Sequence, residues 1–181
     1  MPRLVAVCVV YSLRPDSGSI GVTAIDKRPL EGKVRVGKLG LRSDVQASRK
    51  HHGGPEKAVY AYAQDDADFW EGELDRELRP GWFGENLRVE GLDVNGARIG
   101  EVWRIGDTVE LEVTMPRTPC ATFARWVGGS AARGWVKRFS DEGRLGAYLR
   151  VRRAGEIRAG DAIEVLSSPH GAPTVLEVYR S

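Results

Sequence analysis

The alternation of apolar and polar residues along the chain predicts a structure built mostly from β-strands. Residues 4–11 form a nearly continuous apolar run, which is typical of a central strand buried on both faces. Shorter runs that alternate in polarity lie between glycine, proline and aspartate turns. They predict further strands at 20–25, 33–39, 58–63, the second half of 83–92, 147–153 and 174–179, and a Gly-Asp turn that leads into a strand within 104–113 and again within 158–167.

Helical periodicity is confined to three segments. One runs from residue 65 or 66 to 78, with apolar side chains at helical spacing, acidic residues in its first turn and Pro80-Gly81 after its end. The other two are 118–127 and 130–139. Many strands, few helices and 22 glycines together predict a mainly β, antiparallel, barrel-like fold with a few short helices.

Composition limits the classes of protein to which the chain can belong. Its 181 residues predict a single domain, 1–181, and 41% hydrophobic with 29% charged residues is typical of a globular protein. No apolar run approaches the roughly 18 residues of a membrane helix, and 4–10 is too short for a signal peptide. A net charge of +2 gives no argument for a nucleic-acid polymer or a membrane as partner. Two cysteines make no disulfide framework, so a reducing cytoplasm is expected.

The two cysteines have different surroundings. Cys8 lies in the all-apolar run and is predicted to be a shielded core residue. Cys120 lies in RTPCATFA, behind Pro119 and three residues after Arg117. A helix beginning there, together with Arg117, would lower the pKa of the thiol. A thiolate serves as nucleophile, sulfur carrier or soft metal ligand, and a buried structural cysteine is the alternative that this motif leaves open.

Two glycine-containing turns are further candidates. In HHGGPEK, the backbone of Gly53 and Gly54 beside Lys57 could hold a phosphate, although a simple turn with solvated histidines is favoured by the local sequence alone. In GWFGENL, Glu85 and Asn86 either face a cleft or bond to nearby backbone at the entry to a strand.

Taken together, four stretches resemble the MOSC family, which is named after the C-terminal domain of molybdenum-cofactor sulfurase, and in particular its stand-alone YiiM-type branch. They are IDKRPLEGKVRVGKLGLRSDVQASRKHHGGPEKAVYAY, PGWFGENLRVEGLD, IGEVWRIGDTVELEVTMPRTPC and GRLGAYLRVRRAGEIRAGDAIEVL. They occur in family order and span roughly residues 27–166. The resemblance implies a β-barrel-like fold that binds the molybdenum cofactor, an anionic pyranopterin whose dithiolene holds molybdenum.

The resemblance also implies roles for individual residues. Cys120 matches the family's cysteine and is expected to ligate molybdenum or to carry sulfur. The residues that match the pocket motifs are Arg42, Asp44, His52, Gly53, Gly54, Lys57, Glu85, Asn86 and Arg117. Cys120, His52, Asn86 and Arg117 are expected to converge on one cleft. Ser43 and Ser48 depart from the family pattern, where glycine and aspartate respectively are common, which leaves the conformation of that loop open.

The activity that the resemblance implies is reduction of N-hydroxylated compounds, such as hydroxylaminopurine-type bases, with Cys120 as thiolate ligand of molybdenum. Two alternatives stay open: sulfur transfer or cofactor delivery through a persulfide on Cys120, and a non-catalytic cofactor carrier. The sequence ends at Ser181, which leaves no room for a C-terminal helical extension or a redox domain, so a reductase of this kind is expected to take electrons from a separate donor protein.

Overall fold

The computed structural model describes residues 1–45 and 53–181. Its main element is an eight-stranded sheet, accompanied by a three-stranded sheet and a two-stranded hairpin. The strands are β1 Arg3–Val10, β2 Arg14–Pro15, β3 Val22–Thr23, β4 Lys27–Pro29, β5 Val34–Gly37, β6 Gly40–Leu41, β7 Val59–Ala63, β8 Leu87–Glu90, β9 Val102–Ile105, β10 Val109–Pro116, β11 Ala147–Arg153, β12 Gly155–Ile157 and β13 Ile163–Ser167.

In the part of the chain that the structure describes, four short α-helices accompany the sheets. They are α1 Gln64–Leu74, α2 Ala121–Val127, α3 Trp135–Glu142 and α4 Val175–Arg180, with 3-10 turns at Pro55–Lys57 and Ser130–Ala132. The prediction of a mainly β fold with few short helices is therefore confirmed.

The large sheet runs in the order β13-β9-β10-β11-β7-β8-β1-β4. Its neighbours are antiparallel except β7 and β8, which pair in parallel and are connected through α1. The segment before β13 reaches the start of β1 through backbone hydrogen bonds, such as Leu4 N–H to Asp161 O at 2.8 Å. Within the described residues no continuous ladder closes the sheet, so the expected barrel is not confirmed.

Strand β1 lies near the centre of the core, as its apolar run predicts. Leu4, Val7 and Cys8 are fully buried, and β1 pairs with β8 on one side and β4 on the other. The apolar side chains of β1, β7, β8, β9, β10 and β11 form the main core cluster. Burial of this apolar surface is the dominant stabilising contribution to such a sheet.

A second cluster is aromatic and lies between β7 and the helices. The aromatic cluster comprises Tyr60, Tyr62, Trp70, Trp82, Phe83, Phe123, Trp135, Phe139 and Tyr148. Its rings pack closely, with Tyr62 stacked on Phe83 at a centroid distance of 4.1 Å and Phe123 edge-on to Phe139 at 5.1 Å. Because Phe123 belongs to α2, this packing fixes the helix that begins directly after Cys120.

The segment 174–179 was predicted as a strand, and that prediction is wrong. Residues Val175–Arg180 form α4, which Thr174 caps by accepting a hydrogen bond from the Glu177 N–H while the Glu177 carboxylate accepts one from the Thr174 N–H. This reciprocal capping box needs Thr and Glu three residues apart, which the sequence contains. The apolar alternation of the segment concealed it.

Two other predicted elements are shorter than expected. The first helix ends at Leu74, four residues earlier than predicted and six residues before Pro80, because Asp75 adopts a left-handed conformation with φ 49°. The predicted strand 20–25 is reduced to Val22–Thr23, which pairs with β2. Ile20, Ala24 and Ile25 of that stretch line a cleft.

Candidate functional site

A cleft of about 350 Å³ opens between the β2–β3 hairpin, the edge of β7 and the start of α2. Exposed apolar residues at its mouth are Ile20, Val22 and Val45. The polar, thiol and phenolic side chains that line it are those of Asp16, Ser19, Thr23, Lys27, Asp44, Lys57, Tyr60, Asn86, Arg117, Cys120, Thr122 and Tyr148. Apolar and charged groups thus share one concave surface, which is usual for small-molecule sites.

Cys120 occupies the N-cap position of α2 and is partly buried. Strand β10 ends at Pro116, and the next four residues cross from the sheet to the helix. The Cys120 backbone is extended, with φ −138° and ψ 170°, and its carbonyl accepts a hydrogen bond from the Ala124 N–H. The predicted helix start beside the thiol is therefore confirmed, with the helix three residues shorter at its N-terminus than expected.

Arg117 is a buried cation in the wall of the cleft, only 5% exposed. Its guanidinium carbon lies 4.3 Å from the Phe123 ring centroid and 5.5 Å from that of Tyr60. Its Nη1 has no hydrogen-bond partner, and in the described part of the chain no carboxylate forms an ion pair with it. A buried guanidinium with an unused donor is suited to an anionic ligand.

The surroundings of Arg117 keep it protonated. Burial acts to lower the pKa of Arg117, but the nearby Tyr60, Tyr148 and Cys120 side chains raise it, and the net direction is upward. Burial also raises the pKa of the Tyr148 hydroxyl, and the nearby Arg117 charge partly opposes that rise. At neutral pH the cleft therefore contains a charged guanidinium beside a protonated phenol.

Asp44 and Asn86 form a buried hydrogen-bond network on the opposite side of the cleft. The Asp44 carboxylate accepts from Lys27 Nζ at 2.6 Å, from Asn86 Nδ2 at 2.8 Å and from the Val10 N–H at 2.9 Å. Asn86 Nδ2 also donates to the Cys8 carbonyl, and its Oδ1 accepts from the Tyr60 N–H. Asp44 is thereby neutralised, and Asn86 ties three strands together while bordering the cleft.

Because each polar atom of the Asn86 side chain is used, Asn86→Ala is expected to destabilise the fold. The substitution leaves the Tyr60 N–H and the Cys8 carbonyl without their side-chain partner and removes one of the two bonds to Asp44 Oδ2, which keeps Lys27, at a cost of about 2–4 kcal/mol in the free energy of unfolding. Denaturant titration measures it. Exposed Ser17, replaced by alanine, is the control and should change stability by less than about 1 kcal/mol. Equal losses for the two variants would contradict the structural role of Asn86.

The remaining predicted site residues are placed as follows. Lys57 lies on the cleft wall, with its Nζ 5.6 Å from the Tyr148 ring centroid. Gly54 has φ 93° and precedes the 3-10 turn that carries Lys57. Neither glycine of the Gly53-Gly54 pair lines the cleft itself. His52, predicted to converge with Cys120, and Ser48 lie outside the described residues.

Two of the predicted pocket residues lie elsewhere. Glu85 is fully buried, pairs with Arg88 at 2.6 Å and accepts hydrogen bonds from the Gly81 and Phe83 N–H groups. It therefore holds the GWFGENL turn rather than facing the cleft. Arg42 is exposed and lines a separate open groove beside β5 and β6. Ser43 has φ 72°, which explains why glycine suits that position.

Sequence reasoning missed Lys27, Tyr60 and Tyr148 as cleft residues. Tyr60 is held by a 2.7 Å hydrogen bond from its hydroxyl to the Leu145 carbonyl. The sequence contains only a weak signal for the two tyrosines. Each lies near the start of a predicted strand, where side chains on one face of the strand can contact the neighbouring loops. Lys27 lies near the start of the IDKRPLEG stretch, where the sequence gives it the character of an ordinary surface lysine. Its partner Asp44 is brought to it only by the fold.

The β2–β3 hairpin forms one wall of the cleft and is clamped to α2. The Asp16 carboxylate accepts from Arg125 Nε at 2.6 Å, from Arg125 Nη2 at 2.7 Å and from Thr122 Oγ1 at 3.0 Å. These bonds, led by the one from Arg125, lower the pKa of Asp16 to about 2. The clamp therefore stays ionised at any ordinary pH.

The two thiols are expected to differ sharply in alkylation. Cys8 is fully buried, and burial raises its pKa well above the ordinary value, whereas Cys120 opens on the cleft. Under native conditions iodoacetamide should label Cys120 and spare Cys8, as peptide mass spectrometry would show; both should react in denaturant. Faster native labelling of Cys8 would overturn this assignment.

Within the described residues, no helix is long and apolar enough to span a bilayer, and no group of three or more His, Cys, Asp or Glu side chains is arranged to hold a metal ion.

Comparison with known proteins gives consistent matches. The MOSC domain model matches residues 48–164. The Bacillus subtilis protein YflK is 37% identical over 145 residues, and Escherichia coli YiiM is 29% identical over 149; each alignment covers 80% of this chain and 64% of the relative. A Gibberella moniliformis protein named reductase is 34% identical over 185 residues, 99% of this chain but 32% of its own. The chain thus spans under two thirds of these relatives.

Solved structures agree with these matches. YiiM from Geobacillus stearothermophilus superposes with a TM-score of 0.78 at 25% identity, over 99% of this chain and 83% of the other. YiiM from E. coli superposes with a TM-score of 0.73 at 21% identity, over 98% and 76%, and that likeness concerns the fold alone.

Proposed function

The chain belongs to the MOSC domain family, and from this premise we propose that it is a molybdenum-cofactor-binding oxidoreductase that reduces N-hydroxylated compounds, such as hydroxylaminopurine-type bases. MOSC domains are associated with the molybdenum cofactor generally, and one relative is named a reductase. The single observation that carries the proposal is the cleft that joins the Cys120 thiol to the buried, partnerless Nη1 of Arg117.

The residues in the cleft fit an anionic cofactor that contains a soft metal. Cys120 supplies a thiolate, the type of ligand that soft metal centres prefer. Arg117 supplies an unused buried donor and Lys57 adds positive charge, while the acidic Asp44 and Asp16 are already neutralised by Lys27 and Arg125. The cleft is therefore electropositive where an oxyanion would lie.

When bound, the cofactor would supply the two-electron redox chemistry, and the protein would position it and its substrate. Reduction of R–NHOH takes two electrons and two protons and yields R–NH₂ and water. Cys120 Sγ would hold the metal, and Arg117 with Lys57 would hold anionic oxygens. The Tyr148 hydroxyl, kept protonated by its raised pKa, would hold a proton at Oη on the wall of the cleft. Ile20, Val22 and Val45 would cover the face of an aromatic base.

Sulfur transfer through a persulfide on Cys120 is the second candidate function. Cys120 is the one cysteine that lines the cleft, and Arg117 would stabilise a persulfide anion as well as a thiolate. In that case the protein transfers sulfur or delivers cofactor. A non-catalytic carrier is the third alternative. We propose a cytoplasmic location for each of these three functions, because a thiol stays reduced there, and we propose that the reductase would take its electrons from a separate donor protein.

The test is metal and pterin analysis of the protein made in a host that synthesises the cofactor, beside the same protein from a host that does not. The proposal expects molybdenum and pterin in about equal amounts in the first preparation only, and turnover of an N-hydroxylated base with a supplied donor. Sulfane sulfur on Cys120 without molybdenum would favour the persulfide carrier. Bound cofactor without turnover across several donors would favour the non-catalytic carrier.

A further inference from the structure

One segment of the chain that leads to the cleft carries a local excess of positive charge. Residues 27–45 contain six cationic and two acidic side chains, whereas the whole chain has a net charge of only +2. The segment comprises β4, the β5–β6 hairpin and the turn that follows. A field of one sign on part of the surface steers partners of opposite charge, even when the total charge is small.

Within this segment Arg35, Lys38 and Arg42 line an open groove beside the hairpin, and we call these three residues the basic hairpin. All three are exposed, and none forms an ion pair in the described part of the chain. Glu156 lies opposite Arg35 in the β5–β12 register, but its carboxylate pairs with Lys33 at 3.9 Å. The three charges are therefore available to a partner.

The basic hairpin is also firmly placed and has an apolar centre. Gly40 lies so close to β7 that a Cβ there would collide with the Ala58 carbonyl oxygen. At the hairpin tip, between Lys38 and Gly40, the Leu39 side chain is 65% exposed. The basic hairpin therefore presents one exposed apolar side chain beside its cationic side chains.

Asp44 connects this surface to the candidate site. Asp44 lines both the groove of the basic hairpin and the cleft that contains Cys120. Its carboxylate bonds to Lys27 and Asn86 on the cleft side, only two residues after Arg42. A protein docked on the basic hairpin would therefore lie at the border of the cleft.

We propose that the basic hairpin is the docking surface for an acidic electron-carrier protein, which delivers electrons to the adjoining cleft. The inference rests on the proposed reductase function and adds the place and the charge of the partner. Charge complementarity would mainly increase the association rate, and Leu39 would provide the apolar contact.

The test compares wild type with Arg35→Glu/Lys38→Glu, both loaded with cofactor. The probes are reduced flavodoxin, a small acidic flavoprotein, and photoreduced riboflavin, an uncharged small donor. With flavodoxin at low salt, kcat/KM for the donor should fall at least about tenfold in the variant, and the difference should shrink at high ionic strength. With riboflavin the two proteins should turn over equally. Calorimetric titration with oxidised flavodoxin should show weaker binding by the variant.

Arg133→Glu/Lys137→Glu is the matched control, since it reverses one exposed arginine and one exposed lysine away from both pockets. It should leave flavodoxin kinetics within about twofold of wild type. Equal flavodoxin kinetics and binding in wild type and Arg35→Glu/Lys38→Glu would overturn the inference. So would a 12-nucleotide single strand that binds wild type and not the variant while donor kinetics stay equal, because the surface would then bind nucleic acid.

The outcomes also separate this inference from the proposed function. Absence of riboflavin-driven turnover in molybdenum-loaded wild type would reject the reductase function, and the docking inference with it. Turnover with riboflavin but no charge-dependent use of flavodoxin would retain the reductase function and reject the docking surface alone.

Discussion

Cys120→Ser is expected to lose reduction of an N-hydroxylated base by at least about a hundredfold while the protein stays folded. Serine is nearly the same size, so the packing beside the aromatic cluster changes little, but its hydroxyl is a harder ligand that barely ionises. Binding of the pterin should be retained or only weakened, since Arg117 and Lys57 provide contacts that do not involve Cys120. The measurements are turnover with a supplied electron donor, pterin and molybdenum content, and thermal melting.

Cys8→Ala is the matched control for this variant. It also removes a thiol, but from the middle of β1, away from the cleft. It should retain turnover and molybdenum, with a loss of stability of about 1 kcal/mol from the small cavity. Equal turnover in wild type and Cys120→Ser would exclude the cysteine-ligated mechanism.

Arg117→Met is expected to separate binding from stability. Methionine has a similar volume and no charge, so it removes an unpaired buried cation whose Nη1 lacks a partner. Replacing buried charges by apolar side chains is often neutral or stabilising, so the melting temperature should be unchanged or raised. Affinity for the cofactor should nevertheless fall about 10–100-fold, which corresponds to the roughly 1.5–3 kcal/mol of a hydrogen bond to a charged group. Pterin retention during dialysis, measured beside melting curves, tests both parts.

Arg117→Lys provides the graded control for Arg117→Met. Lysine keeps the charge but not the planar donor fork, so pterin affinity should lie between that of wild type and Arg117→Met. A loss of stability in Arg117→Met with unchanged pterin retention would show that Arg117 is structural, held by its contacts with Phe123 and Tyr60.

The sequence by itself determined the strands, their burial and the special position of one thiol. The apolar run of β1, the alternation in β7 and the bounds of β11 at 147–153 follow from local polarity, because one face of a strand must meet the core. Helical spacing predicted a helix over 118–127 that begins near Cys120, and the structure places its first residue at Ala121. Local capping was decisive at Thr174, where the alternation of the segment obscured a capping box.

Only the tertiary structure decided which polar residues face the cleft. Asn86 and Glu85 are neighbours in one turn, yet Asn86 borders the cleft while Glu85 is buried against Arg88. Asp44 meets Lys27 across 17 residues, and Asp16 meets Arg125 across 109. Such partners depend on long-range strand pairing and on the docking of helices against the aromatic cluster. No local pattern contains that information, because the energy of each contact depends on a neighbour that only the completed fold supplies.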